Sequence, residues 1–191
     1  MGPVLYLDYD GVLHPADVRV PVDDRTRARV YYRGQPTAHP LFEHAPLLER
    51  ILQPFPAVQI VLATLWAREL GLEYAAQQLP LGLRERVIDT VWCGSLIEYP
   101  PGSRYEVIQT DAYARGLTRW LALDDDLNDW PENRLHLVVA PNDTWLGLAQ
   151  PGVSDELSAA LEVLCSGSSL EGRIRAHPRL SPTTGRIFGT D

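Results

Sequence analysis

Four apolar residues, Val4-Leu5-Tyr6-Leu7, run directly into Asp8-Tyr9-Asp10-Gly11, and no other stretch restricts the fold as much. A short unbroken apolar run that ends in acidic residues reads as a strand buried on both faces of a parallel sheet. Side chains alternate along an extended backbone, so Asp8 and Asp10 point one way and Tyr9 the other. Gly11 then allows a change of direction that is difficult for a residue with a Cβ. The two carboxylates are expected in a crevice at the carboxyl end of the strand, the usual ligand position in open α/β sheets. Like charges held side by side require a cation, a shared proton or both. Mg²⁺ is the expected cation, because it prefers oxygen ligands and combines carboxylates with phosphate oxygens and water. On these four residues alone, a plain acidic turn after a strand is an equal alternative.

The longer stretch Leu7-Asp8-Tyr9-Asp10-Gly11-Val12-Leu13-His14-Pro15 resembles the first motif of the haloacid dehalogenase-like (HAD) phosphohydrolases, Asp-x-Asp-Gly-x-Leu after an apolar strand. The resemblance implies an α/β fold, a Rossmann-like three-layer sandwich around a mainly parallel sheet. It also implies phosphoryl transfer through an aspartyl-phosphate, and three further motifs downstream.

Those motifs have candidates in the expected order. Val58 to Ala63 is rich in β-branched residues and ends at Thr64, which matches the second motif and also suits the N-cap of a helix beginning near Trp66. Trp66 is assigned to the core or a pocket wall. Ser103 is a candidate cap for a helix with Tyr105, Val107, Ile108 and Tyr113 as buried residues, and Arg104 stands where the third motif usually has Lys. Its guanidinium binds phosphate bidentately but differs in length and shape from an ammonium. Arg115 and Arg119 are the substitutes for that place. Trp120 to Leu123 again delivers carboxylates to a strand end, and Asp124-Asp125 resembles the fourth motif, with Asp129 completing an Asp-x-x-x-Asp spacing. A turn holding no metal is the competing reading there.

Between and after these motifs, residues 15–40 read as a β-hairpin flap, with arms Val18 to Val22 and Arg27 to Tyr32 around Asp23-Asp24-Arg25-Thr26. Arg27, Arg29 and Tyr31 share one face of the second arm, open either to solvent or to a phosphate or base above the site. Helices are expected near residues 41–52, 66–79 and 154–164, and strands at Val87 to Trp92 and at Leu135 to Val139. Thr144 to Leu148 before the last helix is similar to the ending of a HAD core. His14 and His136 are read as structural. The domain is expected over residues 1–165, and residues 166–191 form a Pro/Gly/Arg-rich tail bearing Arg173, Arg175, Arg179 and Arg186.

Carried over position by position, the resemblance makes Asp8 the nucleophile and Asp10 the general acid and base. Thr64 and Arg104 would hold the phosphoryl oxygens, with Gly11 among the residues contacting substrate. Mg²⁺ would lie between Asp8, the Asp10 backbone carbonyl and Asp125, with Asp124 either a direct ligand in its turn or the neighbour that orients the Arg104 guanidinium. The function implied is that of a Mg²⁺-dependent phosphatase acting on a phosphorylated small molecule, a nucleotide or a nucleic-acid end. HAD members with little cap leave an open cleft, and this chain has no insertion large enough for an α/β cap. A catalytically silent HAD-like domain that binds a ligand or partner is the alternative. The net charge of −8 argues against indiscriminate binding to nucleic acid or an anionic membrane, whereas the flap and tail arginines favour a local polyanion contact. Cys93 and Cys165 are far apart and lack zinc-site spacing, so buried free thiols in a reducing cytoplasm are expected. No apolar run approaches membrane-spanning length, and no signal-peptide pattern precedes the first strand.

Overall fold

The computed structural model describes residues 2–19, 21, 28–92 and 103–171. In chain order the elements are β1 (Val4–Leu7), β2 (Val18–Arg19), β3 (Arg29–Tyr32), β4 (Gln35–Pro36), α1 (Ala45–Leu52), β5 (Gln59–Leu62) and α2 (Leu65–Leu70). They continue with α3 (Leu72–Gln77), α4 (Leu81–Arg84), β6 (Val87–Thr90), α5 (Arg104–Ala114), β7 (Trp120–Leu123), β8 (Val138–Val139) and α6 (Val153–Ser166).

A five-stranded parallel sheet runs in the order β6-β5-β1-β7-β8. All four residues of β1 are buried, as befits the central strand of a sheet covered on both faces. The period-2 alternation divides them. Leu5 and Leu7 join residues of α1, α3 and α6 in one apolar cluster, while Val4 and Tyr6 join Tyr105, Ile108 and Ala112 of α5 in the other. This is the three-layer α/β architecture that the sequence predicts, and β2, β3 and β4 form the small antiparallel sheet beside it. The chain moves outward from β1 to β5 and β6, then returns across β1 to β7 and β8. In open sheets of this kind, ligands bind beside such a reversal, which here lies at the carboxyl ends of β1, β5 and β7.

Several elements differ from the sequence expectation. The helix predicted over 66–79 is two short helices, α2 and α3, separated by Gly71 at φ +91°. Residues Glu132–Leu137 form a 3₁₀ helix, so His136 lies outside any strand and only Val138–Val139 pairs with β7. Tyr113 is 88 % exposed, because α5 buries Tyr105, Ile108 and Ala112 at i, i+3 and i+7, and the next position lies round the helix. Cys165, on α6, is partly exposed and free. The predicted hairpin tip, Arg27, Cys93, the segment before Ser103 and the tail arginines fall outside the described residues. No described helix is long and apolar enough to cross a membrane.

One cation closes the approach to β5. Arg86 donates through Nη1 to the carbonyls of Phe55 (2.7 Å) and Val58 (3.2 Å), and through Nη2 to Leu52 (3.1 Å), joining the end of α1 to the turn before the strand. Replacing Arg86 by Leu leaves these carbonyls without their shared donor. We expect a loss of about 2 kcal/mol in urea denaturation, with the far-ultraviolet circular dichroism of the native state unchanged.

Candidate active site

The sheet ladder continues past the strand ends and sets the positions of the polar residues that follow. Asp8 N donates to Leu123 O (3.0 Å), Ala63 N to Leu7 O (2.9 Å) and Asp124 N to Val139 O (3.2 Å). Asp8 and Asp124 are consequently the first residues beyond a shared sheet edge, Thr64 stands one position further along from β5, and all three are buried. After Asp10 the chain folds into a tight turn, with Val12 N and Leu13 N both donating to Tyr9 O. Gly11 within it has φ +72°, and a Cβ there would run into the Asp125 carboxylate. Its lack of a side chain therefore makes room for the fourth-motif acid as well as for the turn. Tyr9 points to the opposite face and donates to Ala75 O at 3.0 Å.

Ligand oxygens of Asp8, Asp124 and Asp125 lie within 4.8 Å of one another. Arg104 enters this cluster from the first turn of α5, whose start is held by a reciprocal cap: Ser103 Oγ accepts from Glu106 N, and Glu106 Oε2 accepts from Ser103 N. Its guanidinium donates from Nη1 to Ala63 O and from Nη2 to Asp8 Oδ2 (3.4 Å), while Nε lies 3.2 Å from Asp124 Oδ2. The predicted pairing of Arg104 with Asp124 is thus present, with Asp8 added to it. Thr64 Oγ1 accepts from Trp66 N at 3.3 Å, capping α2 as anticipated, and its carbonyl accepts from Trp92 Nε1 at 3.0 Å.

Charge is crowded here. Burial pushes the Asp8 carboxyl up to about 6, with the Arg104 charge opposing the rise and Asp10 adding to it. Burial pushes Asp124 up to about 8 against the pull of Arg104, and raises Asp125 well above the carboxylate range with Asp8 and Asp124 reinforcing it. Burial works against the charge on Arg104, but Asp124 and Asp8 outweigh it and keep the guanidinium ionised. With one cation among three acids, full ionisation would leave negative charge in excess. Asp124 Oδ2 also accepts no hydrogen bond despite being buried, so the nearby Nε offers it charge without a directed bond. Three converging oxygen donors, one of them unsatisfied, fit a hard divalent cation.

The structure therefore brings together Asp8, Asp10, Thr64, Arg104, Asp124 and Asp125 from four separated pieces of chain. Asp129 is not among them: it is exposed, with φ +59°. Two residues assigned to packing do enter the site. Trp66 Nε1 donates to Asp10 Oδ1 (3.2 Å) and Oδ2 (3.1 Å), and His14 Nε2 lies 3.0 Å from Asp10 Oδ1. A sequence signal for His14 existed in its spacing, four residues after Asp10 across a glycine turn; Trp66 carried none, since its contact depends on how α2 leaves β5.

The raised carboxyl pKa values fix the sign of a pH effect. Groups that bind protons more tightly in the folded than in the unfolded chain contribute stability that is complete below the ordinary value near 3.8 and is lost as pH rises through about 6 and 8. In metal-free protein, Asp125→Asn should therefore raise the thermal midpoint by a few degrees, by more at pH 8 than at pH 5. A divalent cation should stabilise the native chain most at the higher pH and leave Asp125→Asn unaffected, as scanning calorimetry in matched buffers would show.

A family model described as the HAD domain in Swiss Army Knife RNA repair proteins matches residues 4–153. No curated protein matches the chain significantly. The matched span runs from the first residue of β1 to the first of α6 and takes in every residue of the site. The chain accordingly belongs to this HAD domain family, within the HAD superfamily of phosphohydrolases.

Proposed function

We propose that this chain is a Mg²⁺-dependent phosphomonoesterase that works through an aspartyl-phosphate on Asp8, with the terminal phosphate of a nucleic acid as substrate. The observation that carries the reading is the convergence of Asp8, Asp124 and Asp125 within 4.8 Å, beside Arg104 and Thr64. Asp8, Asp124 and Asp125 would hold Mg²⁺, with the Asp10 backbone carbonyl as a further donor. The bound ion would neutralise the carboxylates and the phosphate, so that one anion can approach another.

The chain's own residues account for the remaining requirements. An Asp8 carboxylate oxygen attacks phosphorus in line as the bond to the leaving oxygen breaks, and Asp10 gives that oxygen a proton. Asp10, now ionised, takes a proton from the water that attacks the aspartyl-phosphate, and inorganic phosphate leaves as Asp8 is regenerated. Arg104 and the Thr64 hydroxyl bind the nonbridging oxygens whose charge is redistributed in the transition state. Arg104 in place of Lys is compatible with this role because its Nη2 already faces Oδ2 of Asp8, the residue to which the phosphoryl group moves.

The nucleic-acid end rests on two supports. The family occurs in RNA repair proteins, and the described part of the flap presents Arg19 opposite Arg29, with the Arg19 guanidinium over the Tyr31 ring at 4.5 Å. Two exposed arginines side by side on one small sheet suit a backbone phosphate, on a chain whose overall charge would otherwise repel the polymer.

Asp8→Asn should abolish phosphate release from an aryl phosphate and from a phosphorylated oligonucleotide while leaving the fold intact; undiminished turnover would refute the mechanism, and absence of turnover in the native chain would favour a silent binding domain. Replacing Arg19 and Arg29 together by Ala should lower kcat/KM for the oligonucleotide by about tenfold at low salt and leave the aryl phosphate unaffected. Equal effects on both substrates would remove the flap from polymer recognition.

A further inference from the structure

The second carboxylate of the first motif is held by groups that no part of the mechanism has yet used. His14 is fully buried, lies in the turn directly after β1, and makes two polar contacts. The Phe42 backbone N–H donates to its Nδ1 at 3.2 Å, and its Nε2 stands 3.0 Å from Asp10 Oδ1. A nitrogen that accepts from a backbone amide carries no proton of its own, so the ring proton is on Nε2 and points at the carboxylate. The ring cannot turn to exchange these roles, since Phe42 and Trp66 pack against it edge-on with centroids at 4.7 and 5.9 Å. Backbone bonds hold the turn as well: Gly11 N donates to His14 O at 2.9 Å and His44 N to Leu13 O at 2.9 Å.

Trp66 supplies the second donor from another element. Its single N–H is shared between the two oxygens of Asp10, at 3.2 and 3.1 Å. Oδ1 therefore receives the whole His14 bond and part of the Trp66 bond, and Oδ2 receives only part of the latter. We propose that His14 is a positioning residue for Asp10: as the neutral Nε2–H tautomer fixed by Phe42 N–H, it ties down Oδ1 and leaves Oδ2 as the oxygen that exchanges a proton with substrate and water. The inference rests on the reading of Asp10 as the general acid and base.

Leaving-group chemistry separates positioning from simple support of the fold. Protonation matters greatly for an alkyl phosphate, whose leaving alkoxide is strongly basic, and little for p-nitrophenyl phosphate, whose leaving phenolate is stable. His14→Phe should lower kcat/KM for an alkyl phosphate at least about tenfold more than for p-nitrophenyl phosphate. His14→Gln, which can place an amide N–H near the same point, should recover most of that difference. The loss should not multiply with that of Asp10→Ala, because both remove the same proton transfer. Equal losses on the two substrates, or full multiplication of the two effects, would overturn the proposal. Ring-nitrogen chemical shifts of His14 provide a readout independent of activity and of either variant's folding: Nε2 should be protonated and Nδ1 bare, and the opposite tautomer would likewise overturn it. If Asp10→Ala shows no leaving-group dependence while His14 has the expected tautomer, the acid–base reading of Asp10 is the part that fails, and the kinetic role of His14 goes with it.

Discussion

Repulsion among buried carboxylates is the constraint around which this molecule is arranged. Asp8, Asp124 and Asp125 follow strands at the centre of a parallel sheet, where burial and mutual charge raise the cost of ionising each of them. A fold selected for stability alone would place such acids in water or pair each with its own cation. Arg104 offsets part of the charge and also touches the Ala63 carbonyl, so the same guanidinium fixes the edge of β5 and the acidic cluster. The charge left over when all three acids are ionised is what a divalent cation would balance.

That arrangement depends on rigid neighbours. The strand ladder sets the spacing between the first and fourth motifs, and the turn after β1 is braced from the far side by the loop after β8. Leu148 N donates to Val12 O, Ala16 N donates to Thr144 O, and Gly147, at φ +50°, packs so closely on the Gly11 and Val12 carbonyls that a Cβ would not fit. Gly11 and Gly147 thus serve one contact from its two sides. Groups that must remain near one another without cohesive attraction are held by backbone hydrogen bonds, which do not respond to the charge of the side chains.

The two acids of the first motif occupy different surroundings although they share a face. Asp8 meets a cation and other carboxylates, whereas Asp10 meets the neutral N–H groups of His14 and Trp66. The proposed roles, a nucleophile that remains ionised and a residue that gains and loses a proton, call for such dissimilar environments. The flap adds a third environment, cationic and aromatic, on a strongly acidic chain.

Much of this was legible in the chain because it depends on local rules. The apolar run before Asp8, the strand before Thr64 and the Asp-Asp doublet after β7 each show a strand delivering polar groups to its end, and the resemblance to the HAD family is what implied that these ends share one sheet edge. Ser103 before Arg104 signalled the helix start by its capping chemistry. Where local rules were ambiguous the reading failed: Gly71 divided a helix, a 3₁₀ turn took the place of most of a strand, and Tyr113 faced outward. The roles of His14 and Trp66 belonged to neither category. A turn geometry and a helix exit angle bring them to Asp10, and the hydrogen bond from Phe42, twenty-eight residues along the chain from His14, selects the tautomer. Sequence by itself determined which polar residues stand at the strand ends, since charge, backbone freedom and strand periodicity are properties of residues and their near neighbours. Tertiary structure decided which atoms of those residues face one another, because that depends on contacts between segments whose separation along the chain holds no information about their distance in space.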